Sequence, residues 1–280
     1  MVNRKARLLL VLCALAVPGI ACAGERSQVV AYGDSPAQRI DFYPAPAGQV
    51  PAPLVVFIHG GAWRMGDKAI ATGEKAAFFR SEGYAFAAIN YRLVPKASVE
   101  EEADDVAAAV AALRGRAPEL GIDPSRIALV GHSAGAHLAA LVASDPQYLM
   151  ARGLSLKAVR AAVLLDGAAY DVPRQIASAG PVMRRLYRAA FGDAPERQVS
   201  LSPIAHAGRP NAAAFQLVCA TQRADACPQA EELADALEAE GTPAAVLPVD
   251  GASHRDLNRN IGLAGDPTSA AIAAFLREQF

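Results

Sequence analysis

Arg126-Ile127-Ala128-Leu129-Val130-Gly131-His132-Ser133-Ala134-Gly135-Ala136-His137-Leu138 is the stretch that decides how this 280-residue chain is read. The apolar run Ile127 to Val130 has the length of a short buried strand, and His137-Leu138-Ala139-Ala140-Leu141-Val142 reads as a helix. Between them, Gly131-His132-Ser133-Ala134-Gly135 makes a Gly-x-Ser-x-Gly turn, which holds a serine hydroxyl at a sharp corner above a helix N-terminus. Ser133 is therefore the candidate nucleophile. Glycine-rich turns also join strands to helices without any chemistry, so the surrounding pattern has to decide between the two.

Working outward, strand-like runs cover Gln28 to Tyr32, Arg39 to Tyr43, Leu54 to Ile58, Tyr84 to Asn90, Ile127 to Gly131, Ala158 to Asp166, Ala214 to Ala220 and Ala244 to Val249. Helical stretches alternate with them: Lys68 to Ser81, Val99 to Arg116, Ala134 to Ser144, Gln229 to Ala239 and Thr268 to Glu278. This alternation predicts an α/β fold: a mainly parallel sheet of about eight strands, helices on both faces, and an antiparallel edge from the leading pair. Tyr170 to Asn211 breaks the pattern, with few strand signals, and reads as a small helical lid over the C-terminal edge of the sheet. No internal repeat or low-complexity tract interrupts the chain.

His59-Gly60-Gly61-Ala62-Trp63 follows the first long apolar strand. Two consecutive glycines allow close backbone approach, so the amides of Gly60, Gly61 or Ala62 can point at a developing oxyanion, with a further donor from Ala134. A serine nucleophile needs a base, and five histidines are available. His59 belongs to the glycine turn, His132 flanks the serine, His137 lies one helical turn beyond it, and His206 falls in the lid. His254, in the polar loop after the last strand, is the candidate base. For the acid that orients it, the loop after the penultimate strand offers Asp225, in the chain order Ser, Asp, His. Asp166, ending the preceding strand, is the rival. Asp250 and Asp256 stand too near His254 in sequence.

The N-terminus carries Arg4, Lys5 and Arg7, then Leu8 to Val17 without a charge, then Ala21-Cys22-Ala23. This predicts a signal peptide over residues 1–23 and an exported, periplasmic or secreted domain over 24–280. Ten apolar residues at about 1.5 Å each cover half of a bilayer core, which argues against a lasting membrane anchor. Lipidation at Cys22 is disfavoured by Gly19, where a branched aliphatic residue is wanted. Of the 27 basic residues three lie in that leader, against none of the 28 acidic ones, so the remainder carries −4 and shows no basic stripe for nucleic acid. Cys219 and Cys227 are the cysteines left, eight positions apart, and could close a disulfide in an oxidising compartment. No clustered His or second Cys-x-x-Cys suggests a metal.

Taken together, His59 to Trp63, Asn90-Tyr91-Arg92-Leu93, Gly131 to Leu138 and Ser253-His254 resemble, in order, the motifs of the α/β-hydrolase superfamily. The closest likeness is to its carboxylesterase-like branch, which holds arylformamidases and feruloyl or acetyl esterases. The resemblance spans nearly the whole of residues 24–280. It implies hydrolysis of a small carboxylic ester or activated amide, without a cofactor. The branch commonly carries Gly-x-x-Asp before the acid loop, whereas this chain has Cys219-Ala220-Thr221-Gln222-Arg223-Ala224-Asp225. That departure bears on the acid more than on the nucleophile. Amidase or peptidase chemistry would use the same three side chains, and a non-catalytic binding protein on this fold is the remaining alternative.

Overall fold

The strands expected from the sequence assemble into an eight-stranded sheet in the computed structural model, which describes residues 27–208 and 211–280. The expected leader, residues 1–23, lies outside the described residues. The strands are β1 (Gln28–Ala31), β2 (Arg39–Tyr43), β3 (Ala52–Ile58), β4 (Ala85–Ile89), β5 (Ile122–His132), β6 (Ala161–Leu165), β7 (Phe215–Ala220) and β8 (Ala244–Val249). Their spatial order is β1-β2-β4-β3-β5-β6-β7-β8. β1 and β2 pair antiparallel with their neighbours, and β4 to β8 run parallel with β3.

All seven residues of β3 are buried, which is what a strand covered by helices on both faces requires. Leu54, Val56 and Ile58 join the core under the helices Val99–Gly115 and Ala134–Ser144. Val55 and Phe57 point the other way, toward Phe79, Ile272 and Leu276. Each such fully buried side chain stabilises the fold by about 1.5–3 kcal/mol relative to exposure, so the central strands anchor both layers.

The expected helix over 68–81 is two, Lys68–Thr72 and Lys75–Ser81, separated at Gly73, whose φ of 48° leaves the helical region. Val99–Gly115 opens with a capping box, Ser98 and Glu101 each accepting the other's backbone N–H. The lid region forms the helices Val172–Ser178, Pro181–Phe191 and Pro195–Ser200 and a 3-10 turn, Pro203–His206. The helix expected from Gln229 starts earlier, at Ala226, with Pro228 in its first turn, where a missing N–H is harmless. β5 begins earlier than its apolar run because Ala52 of β3 pairs with Ile122.

Candidate active site

β5 delivers His132 to the C-terminal edge of the sheet, and the chain then turns abruptly into the helix Ala134–Ser144. Ser133 holds the corner at φ 56°, ψ −120°, a conformation strained for any residue with a side chain. Its N–H donates to Leu165 O at 2.9 Å, which ties the corner to β6. Only glycines fit on either side of it. A Cβ on Gly131 would lie 2.2 Å from Gly135 O, and one on Gly135 would lie 2.1 Å from Ile58 O.

His254 reaches this corner from the loop after β8. The Ser133 hydroxyl donates to His254 Nε2 at 3.1 Å, which leaves the proton of the neutral ring on Nδ1. That Nδ1–H donates to Asp166 Oδ2 at 2.5 Å. The aspartate expected to do this, Asp225, does not reach the ring. It accepts instead from Gln175 Nε2 at 3.0 Å and Arg223 Nη2 at 3.1 Å.

Register explains the correction. His132 pairs with Leu165 across β5 and β6, so Asp166 stands level with Ser133 on the adjoining strand. Asp225 lies one strand further away, where β7 gives way to the helix Ala226–Ala239, and faces the lid. The position in the β7 loop that does reach His254 is held by Arg223, with Nη1 3.1 Å from His254 Nδ1.

Asp166 is wholly buried. Burial works to raise its pKa, but the hydrogen bond from His254, the charge of Arg223 and the Ala220 amide outweigh it, and the carboxyl stays below its ordinary value. Oδ1 accepts from Ala220 N at 3.0 Å and Oδ2 from Arg223 Nη1 at 2.8 Å. The carboxylate is thus ionised and fixed, as a group meant to orient and stabilise an imidazolium must be.

His132, which the sequence offered only as the neighbour of the nucleophile, anchors the base. Its Nε2–H donates to the backbone oxygen of His254 at 2.9 Å, and the two rings lie 4.6 Å apart. Burial first, and then the neighbouring His254, push its pKa down to about 3, so it stays neutral and keeps that single donor role. In the same loop, Ser253 Oγ and N both donate to Asp256 Oδ2, at 2.6 and 2.9 Å.

His59 to Trp63 folds over the corner. Gly61, Ala62 and Trp63 take φ values of 133°, 51° and 60° in succession. The amides of Gly60, Gly61 and Ala62 have no hydrogen-bond partner among the described residues, and Ala134 opens its helix without a side-chain cap. These are the four donors expected from the sequence, left free beside Ser133. The loop is held from below by Tyr91 OH, which donates to His59 O at 2.7 Å. Trp63 is buried against His137, Tyr187 and Phe191. Its Nε1–H donates to His137 Nδ1 at 3.3 Å, and His137 Nε2–H donates to Leu201 O at 2.8 Å, so a neutral histidine joins this loop to the lid.

A cavity of about 650 Å³ opens beside Ser133 and His254, walled by Ala168, Met183, Tyr187 and Pro228. Cys219 of β7 and Cys227 form a disulfide, Cα to Cα 5.2 Å, that closes the loop bearing Arg223 and Asp225. Among the described residues no group of three His, Cys, Asp or Glu side chains could hold a metal ion.

Residues 40–152 match the protein-family model described as BD-FAE. Esterase 2 of Thermogutta terrifontis, phosphonylated by sarin, superposes over 90% of this chain and 94% of its own, with a TM-score of 0.76 at 24% identity. The same esterase with butyrate bound gives a TM-score of 0.72 at 23% identity over equal shares. The chain has the α/β-hydrolase fold. Among curated relatives, esterase LipC of Mycobacterium tuberculosis is 37% identical over 123 residues, 42% of this chain and 30% of that protein. Kynurenine formamidase of Salmo salar is 30% identical over 115 residues, 41% of this chain and 37% of that protein. The chain spans about a third of the length of the curated relatives it matches, between 23% and 38%.

Proposed function

We propose that this protein is a serine hydrolase of small carboxylic esters. The observation that carries the reading is the continuous line from Ser133 Oγ through the His254 ring to the ionised Asp166, at 3.1 and 2.5 Å, beside amides that have no other partner among the described residues. Likeness to esterase LipC over 123 residues supports the same reaction class.

His254 Nε2 takes the proton as Ser133 Oγ attacks the acyl carbon, and the carbonyl π electrons move onto its oxygen. The amides of Gly60, Gly61 or Ala62, with that of Ala134, stabilise this oxyanion, each such donor contributing about 3 kcal/mol in the transition state. Asp166 stabilises the imidazolium. Collapse of the intermediate breaks the bond to the alcohol oxygen, which receives the proton from His254 and leaves an acyl-Ser133. Water, deprotonated by His254, attacks that ester, and Ser133 leaves with the proton returned to it. No cofactor enters the sequence.

The cavity beside Ser133, of about 650 Å³, has room for a small ester. Hydrolysis of an activated amide is the second reading, favoured by the stretch shared with kynurenine formamidase. The leader-like N-terminus and the Cys219–Cys227 bridge support work outside the cytoplasm; recovery of the active chain only from the cytosol, with its N-terminus uncut, would refute that.

Rates on p-nitrophenyl acetate, butyrate and octanoate and on an aryl formamide test the reading. Turnover of the short esters is expected to vanish in Ser133→Ala while its melting temperature is kept. Turnover that survives in Ser133→Ala would sink the proposal.

A further inference from the structure

Arg223 is the least expected neighbour of the candidate triad. A guanidinium within hydrogen-bonding distance of the acid, and 3.1 Å from His254 Nδ1, sets a positive charge next to the ring that must become positive during turnover. Both Nδ1–H and Nη1–H aim at the same Asp166 oxygen, so the contact between the two nitrogens is an approach of two donors. Taken alone, Arg223 would cancel the carboxylate's attraction for the imidazolium.

The second carboxylate removes this conflict. Arg223 Nη2 donates to Asp225 Oδ2 at 3.1 Å, and Asp225 is steadied by Gln175 Nε2 at 3.0 Å. Burial works to raise the Asp225 pKa, but the Gln175 hydrogen bond and the Arg223 charge hold it below its ordinary value, so it is ionised too. Asp166, Arg223 and Asp225 together carry one net negative charge, the same as a lone aspartate, but spread along a rigid line. Gln175 belongs to the lid helix Val172–Ser178, and its Oε1 accepts from Ala169 N at 3.1 Å and from Gln229 Nε2, so the line is fixed at both ends.

We propose that Arg223 and Asp225 form a charge-compensated clamp on the triad acid: Arg223 positions Asp166 by donating to its side chain and to its backbone oxygen at 3.1 Å, and Asp225 neutralises Arg223 so that the imidazolium of His254 still forms beside a net anion. Both are positioning residues, acting through Asp166. The inference rests on the ester-hydrolase reading above.

It predicts a coupling that packing alone would not produce. Asp225→Asn keeps shape and the Gln175 contact but removes the charge that offsets Arg223. In an otherwise unchanged protein it should lower kcat about tenfold with KM nearly constant, the size of effect of one charge beyond the first ion pair at an effective dielectric of about 20. In an Arg223→Met background the same change should have almost no effect, because the part-exposed Asp225 carboxylate, without its bond to Nη2, is no longer held in line with Asp166 and is screened by the solvent of the cavity. Asp225→Glu, which keeps the charge, should retain most of the wild-type kcat.

The four proteins of this cycle, together with Asp225→Glu, would be assayed on p-nitrophenyl butyrate with Ser133→Ala as the blank and melting temperatures as a check on folding. An equal loss from Asp225→Asn in both backgrounds, or no loss in either, would overturn the clamp while leaving the hydrolase reading intact. Absence of any Ser133-dependent turnover in the wild type would remove both. Should Arg223→Met fail to fold, Arg223→Lys provides the second background: it keeps the charge, so Asp225→Asn must remain costly there, and a neutral effect would overturn the clamp.

Discussion

Glu102→Gln should stabilise the protein at neutral pH, and by more as the pH rises. Glu102 is wholly buried on the helix Val99–Gly115. Its Oε1 accepts from Val94 N at 3.1 Å, and the same N–H reaches Trp63 O at 2.9 Å, so the carboxyl sits behind the loop that bears the proposed oxyanion donors. Oε2 has no hydrogen-bond partner among the described residues. Burial, opposed by the Val94 amide and reinforced by Asp105 and Glu100, pushes its pKa up to about 9.

The folded state therefore keeps a proton that the unfolded chain, with an ordinary glutamate near ~4.3, gives up. Stability from this group is complete below that value and is lost as pH climbs toward 9. At pH 7 the loss amounts to about 4 kcal/mol, from ~1.36 kcal/mol per pH unit over the interval from ~4.3. Glutamine copies the shape of the protonated acid, keeps the acceptor for Val94 N–H and has no proton to release. The gain corresponds to about 8–16 °C in melting temperature for a domain of this size. Trp63, the one tryptophan in the chain, reports unfolding by fluorescence. The gap between variant and wild type should be small at pH 5 and largest at pH 8. A gap that does not widen between these pH values, or a variant less stable at pH 8, would refute the reasoning.

Three further outcomes follow from the site's construction. A Cβ on Gly60 would lie 2.7 Å from His132 O and 2.9 Å from Ser133 Cβ, so Gly60→Ala must shift the loop or the corner; kcat should fall about a hundredfold in steady-state assays at little change in far-UV circular dichroism. His137 has its pKa lowered to about 4, by burial and against the hydrogen bond to Leu201 O, so the unfolded chain binds its proton first and stability falls as pH drops from ~6.5 to 4. Urea midpoints should record about 3 kcal/mol of this loss in the wild type and none of it in His137→Gln. Opening the Cys219–Cys227 bridge frees only the loop between them, so Cys219→Ser/Cys227→Ser should cost about 2–3 kcal/mol in denaturant titrations. It should depress kcat more than KM, because Arg223 and Asp225 lose their frame.

The fold was legible because local pattern and tertiary role coincide where it matters. Leu54 to Ile58 and Ile127 to Val130 are apolar on both strand faces because both faces are covered, and the glycines at 131 and 135 permit the tight backbone path that puts Ser133 at the corner. The place of His254 beside Ser133 was legible by elimination among five histidines. The acid was not, since loop membership and chain order assign a residue to an edge of the sheet but not to the side chain it meets. Asp166 wins through the β5–β6 register, a relation between residues 33 positions apart. Arg223 carried a faint signal: a basic residue three positions beyond a wholly buried strand needs carboxylates, and here it takes two. The split of residues 68–81 into two helices had a plainer signal in Gly73, since only the loss of helical φ there separates them.

The most direct measurement is mass-spectrometric mapping of the protein after reaction with a fluorophosphonate ester, in the wild type, Asp166→Asn and Asp225→Asn. The account predicts one adduct per chain on Ser133, formed rapidly in the wild type, on the order of 10³–10⁴-fold more slowly in Asp166→Asn, and only modestly more slowly in Asp225→Asn. An adduct elsewhere, or labelling of Ser133 that is indifferent to Asp166 and abolished by loss of Asp225, would contradict it.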